Sequence, residues 1–441
     1  MNLLGELSLW IALMAACWCA TASFAGGTLR RGDLVMSGER AMLVALAALI
    51  VSAAGLWHAL LGHEFSIAYV ASHTTANMPG LYTLAAFWSG AGGTGLLGAL
   101  AIAVCAVIVM NRRRGDVGDL TPWAVAMLGT VMAVSLFVVC LSVNPYARLA
   151  ALPLDGNGMD PQLQNPWAAL HTPMLCISYA TAAIACAFWL AAAFRRERNT
   201  RWPPQVGSWL QVSWLLFTIA VLVGTRLRYV EWALRGQWTR EAFSLGSVWP
   251  WLAVTAAIFA AGWQSDRAVA IATEVAARRR VGLILAGAGI TMLIAGVVGS
   301  SFASIRDVSL KPGDAFSIQD PYGHVWRFQS QGASRYTAMN RRVDAVSLEA
   351  WRDGVSRGVI TSERNTFTDI EDRPTAQPVT RAGIRSTPLL DVYVVLSVAG
   401  DDVADMRLAV IPLALWVWIG GALSALGGLI AMRMSTEREG R

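Results

Sequence analysis

Of the five histidines in this 441-residue chain (58, 63, 73, 171 and 324), His171 has the most suggestive setting. It lies where a polar stretch, Asn144 to Leu170, gives way to an apolar run ending near Phe194, and Pro173 follows it closely. A neutral imidazole at such a boundary could ligate a metal centre. Further along, Tyr229, Trp238, Trp249 and Trp251 are interleaved with Arg226, Arg228, Arg235 and Arg240. Aromatic faces beside guanidinium groups suit a flat anionic ligand or lipid phosphate. The six cysteines (17, 19, 105, 140, 176 and 186) form no CxxC pair. They read as small packing residues inside helices. No glycine-rich phosphate loop and no paired metal-ligand motif is found.

These residues must be positioned by a membrane-embedded scaffold. The chain is 55% hydrophobic and only 15% charged, with 19 tryptophans, too little charge for a soluble surface of this size. Crossing a hydrocarbon core of about 30 Å takes roughly 20 apolar residues. Such runs occur near 4–25, 41–61, 83–110, 122–143, 171–194, 206–225, 247–263, 281–302 and 408–432. This predicts an all-α polytopic membrane protein with about nine transmembrane helices. The first run leads through Arg30 and Arg31 into a second span rather than to a small-residue cleavage site, so it reads as a retained helix.

Arginine sets the expected orientation, since Lys311 is the only lysine. Arg30, Arg31 and Arg40, then Arg112 to Arg114, Arg195 to Arg201, Arg278 to Arg280 and the tail share one set of loops. The positive-inside rule puts these in the cytoplasm. The amino terminus, the loop before His171, residues 225–246 and residues 303–406 then lie outside, with the carboxy terminus cytoplasmic. Loop arginines account for the basic balance, so no nucleic-acid partner is needed. Residues 303–406 are polar, with short apolar runs at Ala315–Ile318, Val325–Phe328, Gly358–Thr361 and Leu390–Val398, and Asp353-Gly354 reads as a hairpin turn. The expected domains are a helical region 1–302, an extracytoplasmic β-rich domain 303–406, and a last helix with its tail, 407–441.

The loop before His171 reads Asn144-Pro-Tyr, Arg148-Leu149, Pro153, Asp155-Gly156, Asp160-Pro161, Leu163-Gln164, Pro166 and His171-Thr-Pro-Met-Leu. In that order it resembles the CcmF-type cytochrome c biogenesis proteins of the haem-handling superfamily. Three other blocks are similar to the same family: Phe65 to Trp88, Gly224 to Thr255, which matches its tryptophan-rich WWD segment, and Asp307 to Asp314 with the downstream Arg381–Asp391.

The resemblance implies a function. Family members help attach haem b to the CxxCH cysteines of apocytochromes c on the outer face of the bacterial inner membrane. The WWD segment presents aromatic surface to haem, two external histidines flank it as axial ligands, and two further histidines hold an intramembrane haem. Carried over, this gives His171 as a haem-iron ligand, with Tyr229, Trp238, Trp249, Trp251, Arg226 and Arg228 around a transiently bound haem b. The implied partners are a haem chaperone, apocytochrome c, thiol-handling maturation components and membrane lipid. The chain also departs from the pattern. The second external histidine and the family's middle helices have no counterpart. The intramembrane histidine positions fall on Phe259 and Gly287, and the WWD positions fall on Leu234, Gln237, Arg240, Glu241, Ala242 and Ser244. Two functions follow from these facts: haem presentation as a possible subunit of a haem lyase, or a non-catalytic scaffold for a complete haem lyase paralogue.

Overall fold

The computed structural model describes residues 2–111, 120–195, 203–232, 251, 273–400 and 403–436. They form two compact units, Met1–Ala220 with Trp249–Ala270, and Val221–Val248 with Ile271–Arg441.

The first unit is helical. Its long helices are α1 (Asn2–Leu29), α2 (Gly32–Leu61), α5 (Ala91–Asn111), α6 (Thr121–Ser142), α7 (Pro166–Arg195) and the first part of α8 (Pro203–Trp232). Two short helices, α3 (Ala68–His73) and α4 (Gly80–Ala85), lie between α2 and α5. Lipid tails are as apolar as leucine, so apolar character alone does not drive these helices together. Close approach through small residues does. Ala12, Ala16 and Cys19 of α1 and Ala41, Ala45 and Ala53 of α2 are buried. A Cβ on Gly129 of α6 would lie 3.1 Å from the backbone nitrogen of Ala20 in α1.

The second unit holds the end of α8, α9 (Thr273–Ser300), nine strands and α10 (Ala414–Thr436). The strands are β1 (Ser304–Leu310), β2 (Ala315–Gln319), β3 (Val325–Ala338), β4 (Arg341–Arg352), β5 (Val355–Phe367), β6 (Val379–Arg381), β7 (Gly383–Ser386), β8 (Leu390–Ala399) and β9 (Ala404–Pro412). They make two antiparallel sheets, ordered β1-β9-β8-β7 and β2-β3-β4-β5-β6. Trp326, Phe328, Leu348 and Ile360 of one sheet share a core with Val392, Val394, Leu396 and Leu408 of the other. Side chains alternate along a strand, so the other face of β8 carries Asp391, Tyr393 and Val395. That face packs with Tyr229 of α8 and with Ala414 and Val417 of α10. β8 is therefore buried on both sides, which is why its sequence reads as one continuous apolar run. The Asp353-Gly354 turn joins β4 to β5 with φ of 50° and 82°, the left-handed pair that a two-residue hairpin requires.

α9 and α10 meet through glycines. A Cβ on Gly420 would lie 2.5 Å from the carbonyl of Gly289 and from the backbone nitrogen of Leu293. Ser424 Oγ donates to the Ala286 carbonyl at 3.3 Å. Glycine here lets two backbones touch, and the serine supplies a polar contact where no water competes.

Seven described helices are long and apolar enough to cross a membrane: α1, α2, α5, α6, α7, α8 over Trp209–Val230, and α9 over Val281–Ser300. They correspond to seven of the nine expected runs. The run at 247–263 lies outside the described residues, apart from Trp251. The run at 408–432 is corrected: its first part belongs to β9, and α10 contributes a shorter apolar stretch, Ala414–Ile430. An apolar strand buried on both faces leads directly into an apolar helix, and hydropathy alone does not separate them. The β-rich domain accordingly extends six residues past the expected boundary, to Pro412.

Candidate functional site

His171 does not sit at the loop-to-helix junction. α7 begins five residues earlier, at Pro166. Asn165 caps it, its side-chain oxygen accepting the backbone N–H of Trp167 at 3.0 Å. Proline suits the first helical position because its missing N–H would have found no partner there. His171 is therefore held in the second turn of a helix, a stiffer mount than a loop.

Its ring is aimed by α8. The Nδ1 atom lies 2.9 Å from the carbonyl of Ala220. A carbonyl only accepts, so Nδ1 carries the proton and the lone pair sits on Nε2. This is the arrangement by which a second partner fixes the tautomer of a metal-ligating imidazole. Two residues earlier on α8, Thr218 Oγ1 accepts the indole N–H of Trp251 at 2.9 Å. α8 thus anchors both a candidate ligand and a candidate aromatic surface. α7 and α8 are joined further by Ser213 Oγ donating to the Ser178 carbonyl at 3.0 Å and by an edge-on contact of Tyr179 and Phe217.

Two loops dock beside each other in the same unit. Residues 62–90 and 143–165 pair through Ile67 and Arg148, with Ala68 N–H to the Ala147 carbonyl at 2.8 Å and Leu149 N–H to the Ser66 carbonyl at 2.9 Å. Asp155 is the second clasp. Its Oδ1 accepts the N–H of Ala76 at 2.8 Å and of Gly156 at 2.7 Å. Asn157 N–H then bonds the Ala71 carbonyl at 2.6 Å. Gly156 is required at this crossing, since any Cβ would collide with the Thr74 carbonyl. Tyr146 anchors the loop to the bundle, its buried hydroxyl donating to the Ser52 carbonyl between Gly5 and Gly55.

His73 is committed locally. Its Nδ1 lies 2.8 Å from both Ser72 Oγ and the Tyr69 carbonyl, and its ring stacks on Tyr69 at 4.2 Å. Burial holds its pKa below the ordinary 6.5. Tyr69, whose hydroxyl donates to the Phe87 carbonyl at 2.9 Å, has its phenol pushed up to about 12 by burial.

The other candidates are placed differently. Tyr229 is fully buried in the second unit, its hydroxyl donating to Asp391 Oδ2 at 2.8 Å. Arg226 lies 5.7 Å from the ring centre of Tyr229 and 5.6 Å from that of Trp418. Arg228 is partly buried one turn from the end of α8. Trp238 and Trp249, like Phe259, lie outside the described residues. Gly287 is exposed on α9 with nothing within 4 Å of where a Cβ would stand, and it offers iron no donor. Among the described residues, no group of three or more His, Cys, Asp or Glu is gathered to hold a metal ion.

Comparison with known proteins matches residues 88–276 to the family described as Cytochrome C assembly protein. The cytochrome c-type biogenesis protein CcmF of Pseudomonas aeruginosa is 30% identical over 271 residues, covering 60% of this chain and 41% of that protein. The chain is similar to the CcmF-type cytochrome c biogenesis proteins. The probable cytochrome c-type biogenesis protein NrfE of Escherichia coli is 26% identical over 247 residues, covering 56% of this chain and 45% of its own length. The chain therefore spans less than half the length of these curated relatives. A solved structure, the cytochrome c haem lyase CcmF, has the same fold. It has a TM-score of 0.74 at 17% identity and covers 98% of this chain and 97% of that one. The seven long apolar helices are those of a multi-pass membrane protein.

Sequence reasoning missed three contacts that fix candidate residues or loops: the Asp155 clasp, the Ala220 carbonyl that orients His171, and the Asp391 acceptor for Tyr229. Asp155-Gly156 was visible as part of the matched loop. The other two are contacts across 49 and 162 residues of sequence, and nothing in one sequence marks them.

Proposed function

We propose that this CcmF-type protein presents haem b for covalent attachment to apocytochrome c on the outer face of the inner membrane, with His171 as an axial ligand. The observation that carries this reading is the Nδ1–Ala220 bond, which fixes the direction of the ring and puts its lone pair on Nε2. Haem would supply two vinyl groups, across each of which a cysteine S–H of the CxxCH motif adds to form a thioether. The protein's own part is orientation. α8 holds the imidazole and the Trp251 indole in fixed directions; Arg226, Arg228, Trp238 and Trp249 are proposed as haem contacts from the family resemblance, whereas the buried Tyr229 packs inward. The outside location of the loop before His171, of residues 225–246 and of the β-rich domain rests on the arginine distribution. A haem chaperone, apocytochrome c, a thiol-handling component and lipid complete the proposed setting.

The test combines binding with yield. Purified full-length protein is titrated with haem b and followed by absorption, in wild-type and His171→Ala forms. In cells, c-type cytochromes are measured at matched protein abundance. Weakened binding and lowered yield are expected. Unchanged binding removes the ligand role. Normal maturation at full abundance would leave the scaffold reading as the survivor.

A further inference from the structure

Between its two clasps the loop before α7 exposes an apolar flap. Leu149, Ala150, Ala151, Leu152 and Leu154 are all exposed, Leu152 by 75% and Leu154 by 82%. Apolar residues exposed at this level, four of them consecutive and all outside the expected spans, are not the isolated exposed apolar residues common to any surface. The flap is pinned at one end by Leu149 N–H to Ser66 and at the other by Asp155 to Ala76, so it is held outward and not collapsed.

We infer that this flap inserts into the phospholipid headgroup region of the leaflet on its own side, and that Arg148 meets lipid phosphate. Three observations choose lipid over protein. First is reach. Ser66 is five residues beyond Leu61, the end of α2, and Arg148 is six beyond Ser142, the end of α6. Even fully extended, such tethers span only about 20 Å, so the flap's base stays at the membrane boundary. Second is continuity. Leu61 of α2, Leu141 of α6, and Trp167 and Leu170 of α7 are exposed at the helix ends beside the loop, so the flap extends an apolar belt already in lipid. Third is charge. Arg148 is exposed at the flap's start and makes no ion pair among the described residues. An apolar tip with an adjacent guanidinium matches acyl chain below and phosphate above. The inference does not depend on haem binding.

Nitroxide labels at Leu152→Cys and Leu154→Cys test it. The full-length chain, its six native cysteines replaced by alanine, is reconstituted in vesicles of phosphatidylethanolamine and phosphatidylglycerol. Collisions with oxygen and with a water-soluble nickel chelate are compared with a label at Asn157→Cys, which is exposed on the same loop. The expected result is an oxygen-to-nickel ratio several-fold higher at 152 and 154 than at 157. Equal nickel access at all three sites overturns the inference. So does an oxygen-rich environment that forms only after apocytochrome c is added, which would mark a protein-docking surface. Because the cysteine-free chain could fold poorly, a benzoylphenylalanine at position 152 of the otherwise native chain gives a second measurement in whole cells. Crosslinking to phospholipid supports insertion, and crosslinking to protein alone refutes it.

Discussion

The hydroxyl of Tyr393 donates to the backbone carbonyl of Tyr229 at 2.8 Å, so a β-strand caps the end of a membrane helix. The last carbonyls of α8 have no partner within the helix. Tyr393 takes one, and the backbone N–H of Ala382 donates to the carbonyl of Val230 at 3.5 Å. Tyr229 returns the contact by donating to Asp391, two residues before Tyr393 on the same face of β8. Tyr393→Phe removes one of these bonds and is expected to cost about 1 kcal/mol of stability. Tyr393→Ala also empties a fully buried site and should cost about 3–5 kcal/mol, as large aromatic truncations do. Denaturant titration of the two purified variants separates these outcomes.

Asp391 gives the same contact a pH dependence. Burial pushes its pKa above the ordinary 3.8, and the hydrogen bond from Tyr229 opposes that shift only in part. A raised folded-state pKa means that this group's contribution to stability is fully present below 3.8 and is lost as pH rises through the folded value. Asp391→Asn stays neutral and still accepts from Tyr229. Its stability relative to wild type should therefore increase between acid and neutral pH, as read from paired unfolding curves. A difference that is flat with pH would show that Asp391 has an ordinary pKa.

The Asp155 clasp predicts a graded series. Asp155→Ala leaves the buried N–H of Gly156 and the part-buried N–H of Ala76 without their acceptor, at a cost of about 1–3 kcal/mol. Asp155→Asn retains one oxygen and should lose less. Limited proteolysis of residues 144–165 is expected to accelerate in the order wild type, Asn, Ala.

Gly420 and Gly287 are a matched pair. Gly420→Val forces a side chain against the backbone of Gly289 and Leu293, and an overpacking cost of about 1–3 kcal/mol is expected. Gly287→Val meets open space, and its effect should be negligible. Folded yield and thermal unfolding in detergent distinguish the two.

Much of this architecture was legible, for reasons of periodicity. The Asp353-Gly354 turn was readable because those residue types tolerate positive φ, and Leu390–Val398 was readable as a strand from its β-branched run. β3 was legible only at Val325–Phe328. Its remaining residues are largely exposed and polar, so tertiary pairing with β4 and not sequence pattern makes them strand. The start of α7 was misplaced because hydropathy rises at His171, whereas the helix starts at the Asn165-Pro166 cap, a local signal that precedes the apolar run. At the site, His171 stood out by type and position. The buried role of Tyr229 did not, because its partners Asp391 and Tyr393 are distant in sequence and give no periodic signal.

The pairing of Ser304 with Val410 places the first and last strands of the β-domain side by side. The domain is thus a detour that returns to its point of departure, inserted into what is otherwise a helical hairpin of α9 and α10. Loop-closure entropy depends only weakly on the length of the detour. The Gly289–Gly420 clasp lies outside the domain, so the hairpin of α9 and α10 could close over a short turn in place of residues 304–412, but α8 would then lose its Tyr393 cap. Exchange of such a module in a lineage would have to carry the contacts of Asp391 and Tyr393 with Tyr229 along with it.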